Sequence, residues 1–335
     1  MSFKRISRTL AAVTAGLALL SPAAAQEIRL AQQFSMGYLQ LNVMQHQKLI
    51  EKHAAALGIP NAKVSWFKFN GPTAVNEALI SGNVDIGSGG VPGLLTLWAR
   101  TKGTPQEVRG ISALSSQPFL LNTRDPAIKT VKDFKGSDRI AVPAVRTSVQ
   151  ALTLQIEAAK LYGAKDFEKF DPLTVSMTPP DATVALLKGG AQIAAAFSVP
   201  PFQYMQLEDK AIHTVLNSFD VMGGSHTFTA IWTSAKFRGG NPKMYKAFIE
   251  ALKEATAYVD KNPRAAAEYW IEDSKSKLPP DTAAKIVGGA QVHWTMVPEN
   301  TMKFADFMAS VGRIKVKPAS WKDYFFPDIY DLKGS

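Results

Sequence analysis

The sequence predicts an α/β protein built as two similar lobes, each a mostly parallel sheet flanked by helices. Two observations carry this expectation. Short β-rich runs alternate with helical stretches, the pattern of parallel strands joined by crossover helices. The same order of elements then recurs later in the chain. "RLAQQFSMGYLQ" from Arg29 aligns at an offset of 110 with "RIAVPAVRTSVQ" from Arg139, bringing Gln40 onto Gln150. "GPTAVNEALISGNVDI" from Gly71 aligns at an offset of 107 with "TPPDATVALLKGGAQI" from Thr178, matching Pro72 with Pro179, Leu79 with Leu186 and Gly82 with Gly189.

The chain opens with a targeting segment. Lys4, Arg5 and Arg8 precede a twelve-residue apolar stretch from Thr9 to Leu20, and Ala23-Ala24-Ala25 offers small residues for cleavage. The stretch is short of the ~20 residues that span a bilayer, so residues 1–25 read as a signal peptide and the mature chain as an exported, periplasmic, soluble protein. Glu27 to Ala31, with Gln26, reads as the first strand. Gly37 to Leu57 follows as a helix with Leu41, Met44 and Leu49 on one face, ended by Gly58 and Pro60. Val64 to Phe69 is the next strand, Thr73 to Ser81 a helix closed by Gly82, and Val84 to Gly87 a short strand running into Ser88-Gly89-Gly90-Val91-Pro92.

The repeat sets the lobe boundaries. Residues 26–116 form the first part of lobe I, 117–224 form lobe II, and 225–335 return to lobe I with an amphipathic, helical end. The crossovers fall around Ser115 to Phe119 and Gly223 to Thr229. Gly223 and Gly224 tolerate unusual dihedrals, which suits a hinge or a plain loop.

Composition narrows the function. The 335 residues are 46% hydrophobic and 20% charged, enough apolar chain for two medium cores. Lys plus Arg outnumber Asp plus Glu by 38 to 28, a net charge of +10 that falls to +7 without the signal peptide. No run of five like charges occurs, which argues against a nucleic-acid arm. The absence of cysteine excludes disulfides, zinc–thiolate sites, iron–sulfur clusters, a Cys nucleophile and a lipoprotein anchor. No H-E-x-x-H, G-x-S-x-G or Walker pattern is present, and "IGSGGVP" has Pro92 where a dinucleotide turn needs its last Gly, so neither cofactor nor metal is expected.

Parallel strands deliver the chain to helix N-termini at one edge, where ligands collect. Candidate N-termini lie near Ser35 to Tyr38, Gly71 to Thr73 and Gly90 to Pro92 in one lobe, and near Arg146 to Val149, Pro179 to Asp181 and Ser198 to Pro201 in the other. Facing each other, they would make a receptor for anionic oxygen. Arg146 is unfavourable to a helix start on charge grounds, so either a bidentate grip on a ligand or a surface ion pair accounts for it. Ser88 could donate to a ligand or cap a helix, and Ser198 stands at the start of its turn. Phe34, Tyr38, Phe197, Phe202 and Phe228 could wall an organic group or belong to the core. Of the five histidines, His46 and His53 read as a solvated face, and His226 alone could face a ligand.

"NEALISGNVDIGSGGVPGLLTLW", "DRIAVPAVRTSVQALTLQ", "MTPPDATVALLKGGAQIAAAFSVPPFQY" and "KPASWKDYFFPDI" resemble the nitrate/sulfonate/taurine family of periplasmic substrate-binding proteins that feed ABC importers. The resemblance implies a type II periplasmic-binding fold, a clamp without catalysis, and an inner-membrane ABC permease as partner to a monomer. It implies ligand contacts at Gln33 and Phe34, at Gly71 and Thr73, at Ser88, Gly89 and Gly90, and at Arg146, Thr147 and Ser148. A sulfonate such as taurine leads as cargo, followed by a nitrogen-containing heteroaromatic and then nitrate or bicarbonate. A sensory subunit docking on a membrane receptor would use the same clamp.

Overall fold

In a computed structural model, residues 26–190 and 192–335 are described, and the expected signal peptide lies outside them. The first sheet begins with β1 (Glu27–Gln32), β2 (Lys63–Lys68), β3 (Ile86–Gly90) and β4 (Val108–Ser116). The chain then crosses to the second sheet, formed by β5 (Leu120–Thr123), β6 (Ile140–Val142), β7 (Thr174–Ser176), β8 (Ala195–Phe197) and β9 (His213–Asn217). It returns through β10 (Thr227–Ser234) and β11 (His293–Trp294) to the first. The strand orders are β11-β4-β10-β3-β1-β2 and β7-β6-β8-β5-β9. Read from one edge, β2-β1-β3-β10-β4 has the same arrangement as β7-β6-β8-β5-β9, so the repeated segments occupy equivalent places in the two lobes.

The sheets are mixed rather than mostly parallel. β1 runs parallel to β2 and β3, as β6 does to β7 and β8, but β10 lies antiparallel to both β3 and β4. β5 lies antiparallel to β8 and β9 in the same way. The cause is the double crossing. The chain leaves along β4 into β5 and comes back along β9, through the short helix Ser218–Met222, into β10, so the two passages run in opposite directions in both sheets.

The helix expected over residues 37–57 is broken into a short turn, Met36–Tyr38, and two helices, Leu39–His46 and Leu49–Ala56. Lys48 between them takes φ +50°, a left-handed conformation that no glycine or proline announces. Both helices pack beneath the long helix Pro242–Lys261, where Leu41, Val43 and Ile50 are wholly buried. His53 Nε2 lies 2.7 Å from Glu254, and His46 Nε2 lies 2.8 Å from Asp273 of the helix Pro263–Ser274. These two histidines therefore tie helices together, which corrects the expectation of a solvated face.

The closing aromatic segment completes lobe I. Gly110 of β4 donates its N–H to the Tyr324 carbonyl at 2.8 Å and accepts from Phe326 N–H at 2.8 Å, seating Tyr324 and Phe325 in the core. At the return crossover, Gly223 has φ +70° and ends the helix Ser218–Met222. Among the described residues no helix is long and apolar enough to cross a membrane.

Candidate functional site

The loop after β1 meets the second lobe directly. Ser35 Oγ accepts the Gly37 N–H at 2.9 Å and donates to the Pro200 carbonyl at 2.9 Å, while the Met36 N–H donates to the same carbonyl at 2.9 Å. The cleft beside this junction is lined from lobe I by Gln33, Phe34, Ser35, Tyr38, Asn70, Pro72, Gly90 and Phe228. Lobe II contributes Pro143, Thr147, Ser148, Val149, Gln150, Pro179 and Val199. The lobes are drawn together over it: a Cβ built on Gly90 would stand 2.8 Å from the Val149 Cβ. The remaining cavity is about 30 Å³, room for one or two waters.

The lining mixes apolar and uncharged polar residues and holds no Lys, Arg, His, Asp or Glu. Burial raises the Tyr38 phenol well above its ordinary pKa, which keeps it neutral. Convergent helix N-termini are present, but proline reduces their donors. The helices Pro72–Ile80, Val91–Thr101 and Pro179–Lys188 each carry Pro at a first position and lack the corresponding N–H. The helix Val149–Tyr162 does not, so the N–H groups of Val149 and Gln150 are its free donors toward the cleft. Ser148 caps this helix by accepting the Ala151 N–H at 3.3 Å and donating to the Ala144 carbonyl at 2.8 Å.

The expected contact residues divide into three groups. Gln33, Phe34, Gly90, Thr147 and Ser148 come together at the cleft. Gly71, Gly89, Thr73 and Ser198 stand behind or beside it: Gly71 abuts Pro143 and Ala144 across the lobes, Gly89 underlies Gln33, Thr73 is solvent-exposed, and Ser198 is buried with its hydroxyl unpartnered. The third group is corrected by the structure. Ser88 is fully buried and gives its proton to the Ala31 carbonyl at 2.6 Å, pinning β3 to β1, so it neither donates to a ligand nor caps the next helix, which starts after Gly90. His226 is enclosed by Phe119, Phe219 and Phe304, with Nε2 on Ser218 at 3.0 Å. It packs the crossovers and lines neither the cleft nor the chamber beside it.

Arg146 is the third correction. It precedes the helix by three residues, has φ +62°, and directs Nε to the Asp171 carboxylate at 3.1 Å. Asp171 is buried and also accepts Gln155 Nε2 at 2.8 Å, with Arg313 of lobe I 3.7 Å away. A buried carboxylate needs such partners, and that need places Arg146 outside the cleft lining. Arg146→Ala is expected to leave affinity for an anionic ligand within about twofold by isothermal titration calorimetry. A loss of about tenfold, equivalent to 1.4 kcal/mol, would return it to the site.

Asn70, Pro143, Gln150 and Val199 line the cleft without having been singled out. Gln150 was visible as the repeat partner of Gln40, but the pair diverges in use, since Gln40 is spent on the Leu114 carbonyl in the core. Of the five aromatic candidates, Phe34, Tyr38 and Phe228 reach the cleft. Phe197 packs on Phe119 with ring centres 5.4 Å apart and belongs to the core. Phe202 faces a second and larger cavity of about 610 Å³ that adjoins the cleft at Gln33, Phe34 and Ser35.

This architecture has solved counterparts. The alkanesulfonate-binding protein SsuA from Xanthomonas axonopodis pv. citri, bound to MOPS, aligns over 88% of this chain and 96% of its own, at 18% identity and a TM-score of 0.63. The periplasmic aliphatic sulphonate-binding protein SsuA from Escherichia coli gives 92% and 100%, at 17% identity and 0.65. The periplasmic nitrate-binding protein NrtA from Synechocystis PCC 6803 gives 92% and 84%, at 13% identity and 0.61. Identities this low establish the fold, the two-lobed type II periplasmic-binding architecture with mixed sheets, and agree with the resemblance carried by the sequence. No curated protein matches the sequence. A family model matches residues 21–271, well over half of the chain, and the protein belongs to the NMT1-like family.

Proposed function

We propose that this protein is the periplasmic solute-binding component of an ABC-type importer, with lobes dividing near residues 116 and 224 and closing over a small organic anion, a sulfonate before other classes. The carrying observation is that both lobes line one cleft and hydrogen-bond to each other at its edge through Ser35, Met36 and Pro200. A ligand there touches both lobes only when they are closed, so its binding energy favours the closed form and an importer can distinguish loaded from empty. The neutral lining suits binding, since none of the residues that line the cleft is an acid, a base or an activated nucleophile. The proteins of like fold named for sulfonate and nitrate binding support the cargo class. The presence of Phe34 and Phe228 in the lining favours a heteroaromatic as the second reading.

A thermal-shift screen of residues 26–335, stripped of solute, tests this against sulfonates, nitrate, bicarbonate, sulfate esters, dicarboxylates and heteroaromatics. A ligand at about 100 times its Kd adds roughly 2.7 kcal/mol, a rise of roughly 5 °C. Stabilisation by a sulfonate is the expected result. Silence across the whole panel would overturn the solute-binding reading, and a response confined to heteroaromatics would move the cargo to the second class.

A further inference from the structure

We infer that the 610 Å³ chamber flanking the cleft is the seat of the cargo's body, and that the cargo is an apolar organic anion whose acidic group meets Lys68 and whose N–H or O–H donor meets Asn42 Oδ1. The inference rests on the solute-binding reading and specifies its ligand. Volume is the first ground. With the lobes in contact the cleft keeps about 30 Å³, whereas the chamber falls within the roughly 300–1,000 Å³ of small-molecule sites.

The walls are the second ground. Both lobes contribute, with Phe34 and Trp270 on one side and Val184, Leu187, Phe202 and Met205 on the other. Val184 and Leu187 remain 51% and 37% exposed, among the few large apolar residues of the described chain left so open. An apolar body between the lobes would cover them.

The polar groups are the third ground. Asn42 is 3% exposed and its Nδ2 donates to Asp273 at 2.5 Å. Asp273 can only accept, which fixes the amide and leaves Oδ1 buried without a donor. Leaving such an acceptor unmatched is costly, and a ligand donor relieves it. Lys68, Lys275 and Lys277 also line the chamber, against Asp273, whose carboxylate is already held by Asn42 and His46. Lys68 has no carboxylate within ion-pair distance among the described residues, and its Nζ stands 5.4 Å from the centre of the Phe34 ring at the boundary with the cleft. Desolvation by the surrounding protein lowers its pKa, a shift that an anionic ligand would reverse.

Indole-3-acetate carries all three features and serves as probe, with 1-naphthaleneacetate lacking the donor and taurine lacking the apolar body. Calorimetry on the full mature chain is expected to show indole-3-acetate binding most tightly, 1-naphthaleneacetate weaker by about tenfold, and Lys68→Met weakening both by about tenfold or more. Val184→Trp, on an exposed helix face where folding is not at stake, fills the chamber and should abolish binding of both aryl acids. The same unfolding temperature in each variant and wild type checks the fold. Aryl acids that fail to bind wild type, or bind Lys68→Met and Val184→Trp undiminished, overturn the chamber proposal. Taurine bound equally by all three proteins would overturn it too while upholding solute binding in the cleft; failure of every solute defeats the parent reading.

Discussion

Gly90→Leu is expected to lower affinity for the strongest ligand of the thermal-shift screen by about a hundredfold, equivalent to 2.7 kcal/mol. Gly90 has φ −67° and ψ 151°, which any residue adopts, so the glycine is not there for its backbone. It is there for the approach of Val149 from the other lobe, whose Cβ would lie 2.8 Å from a Cβ at position 90. A leucine side chain holds the lobes apart, and the ligand then loses the contacts that only closure completes. Folding stability without ligand should change by less than about 1 kcal/mol, because each lobe keeps its own sheet and core. Small-angle scattering gives the second readout: wild type should contract on saturation with ligand, and the variant should not. Wild-type affinity together with wild-type contraction in Gly90→Leu would show that the cleft closes through some other contact.

Acid should weaken the protein through His226. Burial among three phenylalanines, with a smaller contribution from the Lys303 charge, pushes the imidazole down to about 4 from an ordinary value of 6.5. Below pH 6.5 the unfolded chain takes up this proton before the folded chain does. Stability is therefore full above about pH 6.5, falls as pH drops toward 4, and levels off once the folded protein also protonates. The total loss from this group is about 3 kcal/mol. Urea unfolding of wild type and His226→Gln at pH 7 and pH 4.5 isolates it from the carboxylates, which are common to both. Wild type should lose about 2 kcal/mol more over that range; equal losses would mean that the imidazole is not buried as described. Because His226 lies between Ser218 and Thr227 on the return crossover, the acid loss should appear in the region that joins the lobes.

Local pattern made much of this protein readable from its residues. The alternation of strands and helices, the doubling at offsets of 110 and 107, the glycine stops and the small-residue turn at Ser88-Gly89-Gly90 each follow from short-range stereochemistry and periodicity. They led to two lobes and to facing helix N-termini that include Gly90, Thr147 and Ser148, while Gln33 and Phe34, which meet them in the cleft, were expected from the family resemblance. The break at Lys48 escaped because the apolar period continues across it, so packing beneath the helix Pro242–Lys261 goes with a bend that propensity does not announce.

What the sequence by itself determined was the architecture, because periodicity and turn chemistry act over a few residues. What only the tertiary structure decided was the employment of each polar group, because a side chain's partner is set by whatever the fold brings within 3 Å. Ser88 spends its proton on Ala31, Arg146 serves Asp171 from 25 residues away, and His226 disappears among aromatic rings. Asn42 and Lys68, 26 positions apart and on different elements, face one chamber for the same reason.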